Sequence, residues 1–111
     1  MIELKFNFNT PGANTNLKFY QKKKIKDRVR AAVYDALWEL GLPSFTEYVQ
    51  VEFTRYSVQP MDEDNVAASA KVWIDRLVEY GVIKDDRPVA RGGHVHLTFV
   101  SAKGRPSVTI R

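Results

Sequence analysis

Two acidic groups could do chemistry together. The first lies in Met61-Asp62-Glu63-Asp64-Asn65, and the second is Asp85-Asp86, which follows Gly81-Val82-Ile83-Lys84. Several carboxylates crowded into one place repel one another unless a cation neutralises them. An all-oxygen donor set selects Mg²⁺ or Mn²⁺, and such an ion can activate water and polarise a phosphodiester. The residues between the two groups read as a helix from about Val66 to Tyr80, roughly 22 Å long at 1.5 Å per residue. Six extended residues, Gly81 to Asp86, cover about 20 Å. A chain that reverses at Gly81 and runs back along the helix would bring Asp62, Asp64 and one of the second pair together. The same acids have an ordinary alternative. Asp64 can serve as an N-cap, with Asp62 and Glu63 complementing the helix dipole and Asp85-Asp86 forming a turn. A calcium-binding EF-hand loop does not fit: counted from Asp62, its sixth position is Ala67 and its twelfth is Trp73.

Lys71 stands about two turns into that helix. A side chain leaning toward the helix start would reach a scissile phosphate or leaving oxygen near the carboxylates. Paired with Asp75 at i+4, it would instead be an ordinary surface residue.

The elements that must position these groups are legible in the hydrophobic pattern. Ile2, Leu4, Phe6 and Phe8 alternate with polar residues, as in a half-buried strand. Thr10 to Asn16 reads as a loop. From about Tyr20 the period changes, and Ile25, Val29, Ala32, Val33, Ala36, Leu37 and Leu40 form one helical stripe that Gly41 and Pro43 end. Tyr48 to Tyr56 alternates again. Asp64 and Asn65 suit the start of the second helix, whose stripe is Val66, Ala70, Trp73, Ile74, Leu77 and Val78, and Gly81 closes it. Val82 to Asp86 reads as a short extended piece. His94 to Val100 alternates, Lys103-Gly104-Arg105 turns, and Val108 and Ile110 return as the second strand of a terminal hairpin. The expectation is one α+β domain over residues 1–111, a mixed or antiparallel sheet with two helices packed on it, in the order β-α-β-α-β-β. Trp38 and Trp73 are expected in its core.

Composition narrows the chemistry. The 111 residues include no cysteine, which excludes disulfides, thiolate nucleophiles and Cys-type zinc or Fe–S sites. Apolar runs such as Ala31-Ala32-Val33 are too short to span a bilayer, and no membrane partner is expected. The alternating N-terminus with Glu3 does not read as a signal peptide, so a cytoplasmic location is expected. The net charge of +4 is unevenly spread. Residues 18–30 hold seven bases, Lys18, Lys22, Lys23, Lys24, Lys26, Arg28 and Arg30, against the single acid Asp27. Residues 62–86 hold seven acids and three bases. A basic segment beside a separate acidic site suits a polyanion partner, and a solvated helix face would carry the same charges. Phe19 and Tyr20, next to the lysines, are the aromatic candidates for nucleic-acid contact.

Asp62-Glu63-Asp64-Asn65, then Lys71, Asp75, Leu77, Gly81-Val82-Ile83 and Asp85-Asp86 resemble the signature of the RusA family of Holliday junction resolvases: D-x-D-N at a helix start, a lysine within the helix, and an Asp-Asp pair after a glycine. The motif spans about 25 residues, from Asp62 to Asp86. The elements before and after it also fit that family. The resemblance implies a bacterial or phage-encoded, Mg²⁺-dependent endonuclease, a homodimer that makes paired nicks in branched DNA. It implies that Asp62, Asp64 and Asp86 bind the metal with Asp85 close by and that Lys71 is catalytic; the basic segment itself points to Lys18, Lys22, Lys23, Lys24, Lys26 and Arg28 as the DNA contacts. The chain departs from the founding member at one point. The helix lysine there follows the asparagine by three residues, where this chain has Ala68, and Lys71 stands one turn later on the same face. The basic helix start takes the place of an arginine-rich N-terminal loop found in some members.

The alternatives are a non-catalytic nucleic-acid-binding protein on the same fold and a small protein-interaction domain. His94 and His96 share a strand face, but with no third histidine and no cysteine they suit a structural or phosphate-contacting role better than zinc. Gly92-Gly93 fits no phosphate-binding loop.

Overall fold

Six elements form in the expected order. In the computed structural model, which describes residues 2–12, 17–45, 47–85, 87–88 and 92–111, they are β1 (Leu4–Phe6), α1 (Phe19–Glu39), β2 (Val49–Ser57), α2 (Glu63–Glu79), β3 (Val95–Lys103) and β4 (Ser107–Ile110). The fold is α+β, with one four-stranded mixed sheet in the order β1-β4-β2-β3. β2 and β3 run parallel from Val49↔Val95 to Ser57↔Lys103, and α2 is the crossover between them. β4 runs antiparallel to both β1 and β2. The alternation seen in the sequence puts Leu4, Phe6, Val51, Phe53, Val95, Val108 and Ile110 into a single core with Val29, Val33 and Leu37 of α1 and Val66, Ala70, Ile74 and Leu77 of α2.

Trp73 is fully buried at the centre of that core. Its ring lies 4.7 Å from Phe6, 5.2 Å from Phe8 and 6.4 Å from Phe53, centroid to centroid. Trp38 does not follow expectation. It is 64% exposed and stacks at 6.2 Å on Tyr34, one turn earlier on the outer face of α1. The buried stripe passes through Leu37, and a residue one step on is rotated by about 100° out of the core.

Both helices stop as their glycines foretell. Gly41 (φ 78°) and Gly81 (φ 74°) adopt the left-handed conformation, and the next residue in each case donates its amide back to the helix: Leu42 to the carbonyl of Leu37 and Val82 to that of Leu77, each at 2.9 Å. This is the Schellman arrangement, which glycine adopts without steric strain.

The terminal hairpin is not formed. β3 and β4 flank β2 instead of pairing with each other. The turn after Lys103 crosses the end of β2, with the Gly104 amide on the carbonyl of Ser57 at 3.0 Å, and Ser107 then faces Tyr56. This route gives β1 a neighbour and makes β2 central. It also seats Thr54 and Thr109 opposite each other, both nearly buried. The extended piece after Gly81 is reduced to an isolated bridge between Ile83 and Phe45. Among the described residues no helix is long and apolar enough to cross a membrane.

Candidate functional site

The acidic helix start is anchored at the far end of the parallel strand pair. The Met61 amide donates to Ser101 Oγ of β3 at 2.8 Å, which fixes where the chain enters α2. The helix begins slightly earlier than the sequence suggested, with Asp62 as N-cap and Glu63 and Asp64 in the first turn. The backbone carbonyl of Asp62 receives the amides of Asn65 and Val66, both at 3.1 Å. Its carboxylate caps no backbone amide and instead accepts a hydrogen bond from Asn65 Nδ2 at 2.9 Å. Asp62, Glu63 and Asp64 are all exposed. Asp62 is thus the N-cap residue without a side-chain cap bond, Glu63 and Asp64 in the first turn complement the helix dipole, and all three carboxylates face solvent.

A buried polar knot, not foreseen from the sequence, holds this helix start in place. Thr10 Oγ1 donates to the Ser69 carbonyl at 2.8 Å and accepts from Trp73 Nε1 at 3.0 Å. The Thr10 carbonyl accepts from Ser69 Oγ at 2.7 Å and from Arg55 Nε at 3.0 Å. Burial pushes the Arg55 guanidinium below its ordinary pKa. The knot seats the 9–12 loop against α2, so closely that a side chain on Gly12 would meet Met61 Sδ at 3.2 Å and Asn65 Cβ at 3.4 Å. One signal was present: period two puts Arg55 on the same strand face as Val51 and Phe53, a charge pointing into the core.

The structure does not bring Asp85 to this site. Val82 and Ile83 are buried, and the Phe45 amide donates to the Val82 carbonyl at 2.8 Å. Next, the Lys84 amide donates to His94 Nε2 at 3.2 Å, and Pro88 bridges to Val95. The segment thus runs to the start of β3, whereas Asp62 follows Met61 beside Ser101. The six-residue stretch of β3 between these ends spans about 20 Å. The expected convergence on Asp62 and Asp64 fails for Asp85 because two apolar side chains sink into the core and turn the chain sideways. Asp85 itself receives the Arg87 amide at 2.9 Å and pairs with the Arg87 guanidinium at 3.6 Å. Asp86 lies outside the described residues. Among those described, no three histidine, aspartate or glutamate side chains are grouped to hold a metal ion.

His94 is structural. Nε2 accepts the Lys84 amide, so the 2.8 Å contact of Nδ1 with the Glu47 carbonyl is a donated hydrogen bond, and both ring nitrogens are engaged. His96 is exposed, beside a groove that Gln50, Glu52, Thr98 and Arg111 also line.

Lys71 is exposed, and its ammonium lies 3.3 Å from Asp75 Oδ1, one turn further along α2. The bond directs it away from the helix start. An exposed pair of this kind contributes only ~0.3–0.5 kcal/mol, so it is easily exchanged for another partner.

The seven bases of residues 18–30 divide by role. Arg30 makes a two-pronged pair with Glu79 across the helices, Nε to Oε1 at 2.9 Å and Nη2 to Oε2 at 3.1 Å. This bond holds the Glu79 carboxyl below the ordinary carboxylate range. The Arg28 guanidinium lies 3.8 Å from the centre of the Phe8 ring, a cation–π contact. Lys18 is the N-cap residue of α1 and stays exposed, as do Lys23 and Lys24. Lys22 and Lys26 line an open groove of about 630 Å³ between α1 and α2 that is shared with Lys71. Phe19 and Tyr20 are 84% and 63% exposed.

Asp64, Ala68, Lys71 and Asp75 recur at intervals of four, three and four residues, so they lie on one stripe of α2. Ala68, Lys71 and Asp75 line the groove, and Asp64 lies on the same stripe one turn before Ala68, outside the lining. The helix start thus carries exposed carboxylates, and the groove further along α2 carries Lys22, Lys26 and Lys71. No protein-family model and no curated protein matches the chain.

Proposed function

We propose that the protein is a divalent-metal-dependent DNA endonuclease of the RusA type, a homodimer that nicks four-way junctions. The observation that supports this reading is the α2 stripe Asp64, Ala68, Lys71 and Asp75, which runs from an exposed carboxylate at the helix start into a groove lined by Lys22, Lys26 and Lys71. A phosphate backbone lying along those lysines would run toward the carboxylates. Two exposed carboxylates suit Mg²⁺ or Mn²⁺, since Mg²⁺ is commonly held by one or two carboxylates together with water and substrate phosphate oxygens. When bound, the ion would supply Lewis-acid activation of water and of the phosphodiester. Asp62 and Asp64 would hold it, with Asn65 orienting Asp62, and Lys71, once released from Asp75, would neutralise charge on the departing oxygen. Lys18, Lys22, Lys23, Lys24 and Lys26 contact phosphates, and Arg28 adds its charge from above Phe8. Paired, symmetric cuts in a four-way junction require two such sites related by a two-fold axis.

The competing reading is a nucleic-acid-binding protein without catalysis. The Lys71–Asp75 bond and the distance of Asp85 from the helix start favour it. The two separate on strand scission. A labelled four-way junction and a linear duplex of matching sequence are incubated with the protein and Mg²⁺. Nicks near the branch point, and none in the duplex, are expected. Binding without scission would establish the competitor.

Two further outcomes follow. Replacing Lys71 with alanine should slow single-turnover cleavage by on the order of 10²-fold, while melting temperature and junction affinity barely change. A variant that cleaves at the normal rate would reduce Lys71 to a surface residue. Replacing Lys22, Lys23, Lys24 and Lys26 together should flatten the dependence of log affinity on log salt, by about one unit of slope for each phosphate that is no longer neutralised. An unchanged slope would move the DNA-binding face elsewhere, with Lys103 and Arg105 of the β3–β4 turn as the next candidates.

A further inference from the structure

Arg76 is 7% exposed and lines the wall of the α1–α2 groove. Its Nε and Nη1 are out of reach of water, and neither finds a hydrogen-bond acceptor among the described residues. Nη1 approaches Glu79 Oε2 at 3.2 Å without the alignment a hydrogen bond needs. That glutamate is already committed to Arg30 by two good hydrogen bonds. A buried guanidinium left in this state is costly, because desolvation has removed its water and only a shared carboxylate replaces it. Its charge is also poorly screened, so its attraction for an anion in the groove is stronger than that of a surface cation.

The rest of the groove has the same sign. Lys22, Lys26 and Lys71 stand around it, and the one carboxylate among its lining residues, Asp75, is bonded to Lys71. The lining residues thus hold four cations and one acid, with Glu79, shared between Arg30 and Arg76, outside the lining. The groove is open to solvent and offers about 630 Å³, enough for a hydrated phosphate group.

We propose that this groove is a phosphate-binding site, with Arg76 as a fixed cation buried in its wall that acts through its poorly screened charge and Lys22, Lys26 and Lys71 as the donors at the rim. It takes one phosphate group, carried either by free phosphate or by a phosphodiester of a nucleic-acid strand. The site does not depend on cleavage: an enzyme and a non-catalytic binding protein would both retain it.

The test is binding to the intact chain, followed by amide NMR shifts. One probe is inorganic phosphate. The other is a short single-stranded oligonucleotide without terminal phosphates. The expected result is that at least one probe shifts the amides of Lys22, Lys26, Ser69 and Val72, and that Arg76→Gln weakens it at least about tenfold, as expected when one poorly screened charge beside the anion is removed. A response to phosphate identifies a free-anion site, and a response to the oligonucleotide alone identifies a strand phosphodiester. The proposal is overturned if neither probe shifts those amides, or if Arg76→Gln binds as wild type. Should Arg76→Gln fail to fold, the exposed pair Lys22→Ala/Lys26→Ala decides. Weakened binding sustains the site, and unchanged binding overturns it.

Discussion

Asp62→Asn and Asp64→Asn are each expected to abolish metal-dependent cleavage while junction binding survives. An amide oxygen is a poor substitute for a carboxylate toward a hard divalent cation, and removing a negative charge next to the DNA path lessens repulsion of phosphates. Both side chains are exposed, so neither substitution opens a cavity. Helix entry is also protected, because the Asp62 backbone carbonyl receives the Asn65 and Val66 amides and asparagine is as good an N-cap as aspartate. Loss of activity therefore cannot be attributed to unfolding. The rates are compared on a junction held saturated with protein, with melting temperature as control. Wild-type cleavage by either variant would remove the helix start from the metal site.

Trp73→Ala should be the most damaging single change to the fold. The substitution empties the middle of the Phe6, Phe8 and Phe53 cluster and leaves the Thr10 hydroxyl without its indole donor. Truncations of this size in a core cost about 3–5 kcal/mol, a large share of the 5–15 kcal/mol typical of a domain. Urea denaturation should show the midpoint falling accordingly. Trp73→Phe separates the two contributions: it keeps most of the ring, loses only the donor, and should cost about 1–3 kcal/mol. A loss below ~1 kcal/mol for Trp73→Ala would mean that the core is not organised around this residue.

Local pattern carried much of this structure. Period two located the strands, the three-and-four spacing located the helices, and Gly41 and Gly81 marked where they stop, because each of these is a property of neighbouring residues. Features that depend on which segments meet were not legible. Val108 and Ile110 alternate equally well in a hairpin with β3 or between β1 and β2; only the need of β1 for a partner and the route over the end of β2 decide it. Counting residues established that Gly81 to Asp86 could reach back to Asp62, but reach is not direction, and the burial of Val82 and Ile83 sent the segment to the start of β3. The charged side chains show the same division. Asp62, Asp64 and the lysine run were visible as types and spacings. The groove that joins Lys22, Lys26, Lys71 and Arg76 was not, because it exists only where two helices pack.

The metal dependence of junction cleavage bears most directly on the central claim. Protein stripped with a chelator is mixed with an end-labelled four-way junction, and Mg²⁺ or Mn²⁺ is then restored. No cleavage before restoration, and paired symmetric nicks near the branch point after it, are the expected result. Intact strands under both ions, with the junction demonstrably bound, would contradict it and leave a nucleic-acid-binding protein whose helix-start acids hold no catalytic metal.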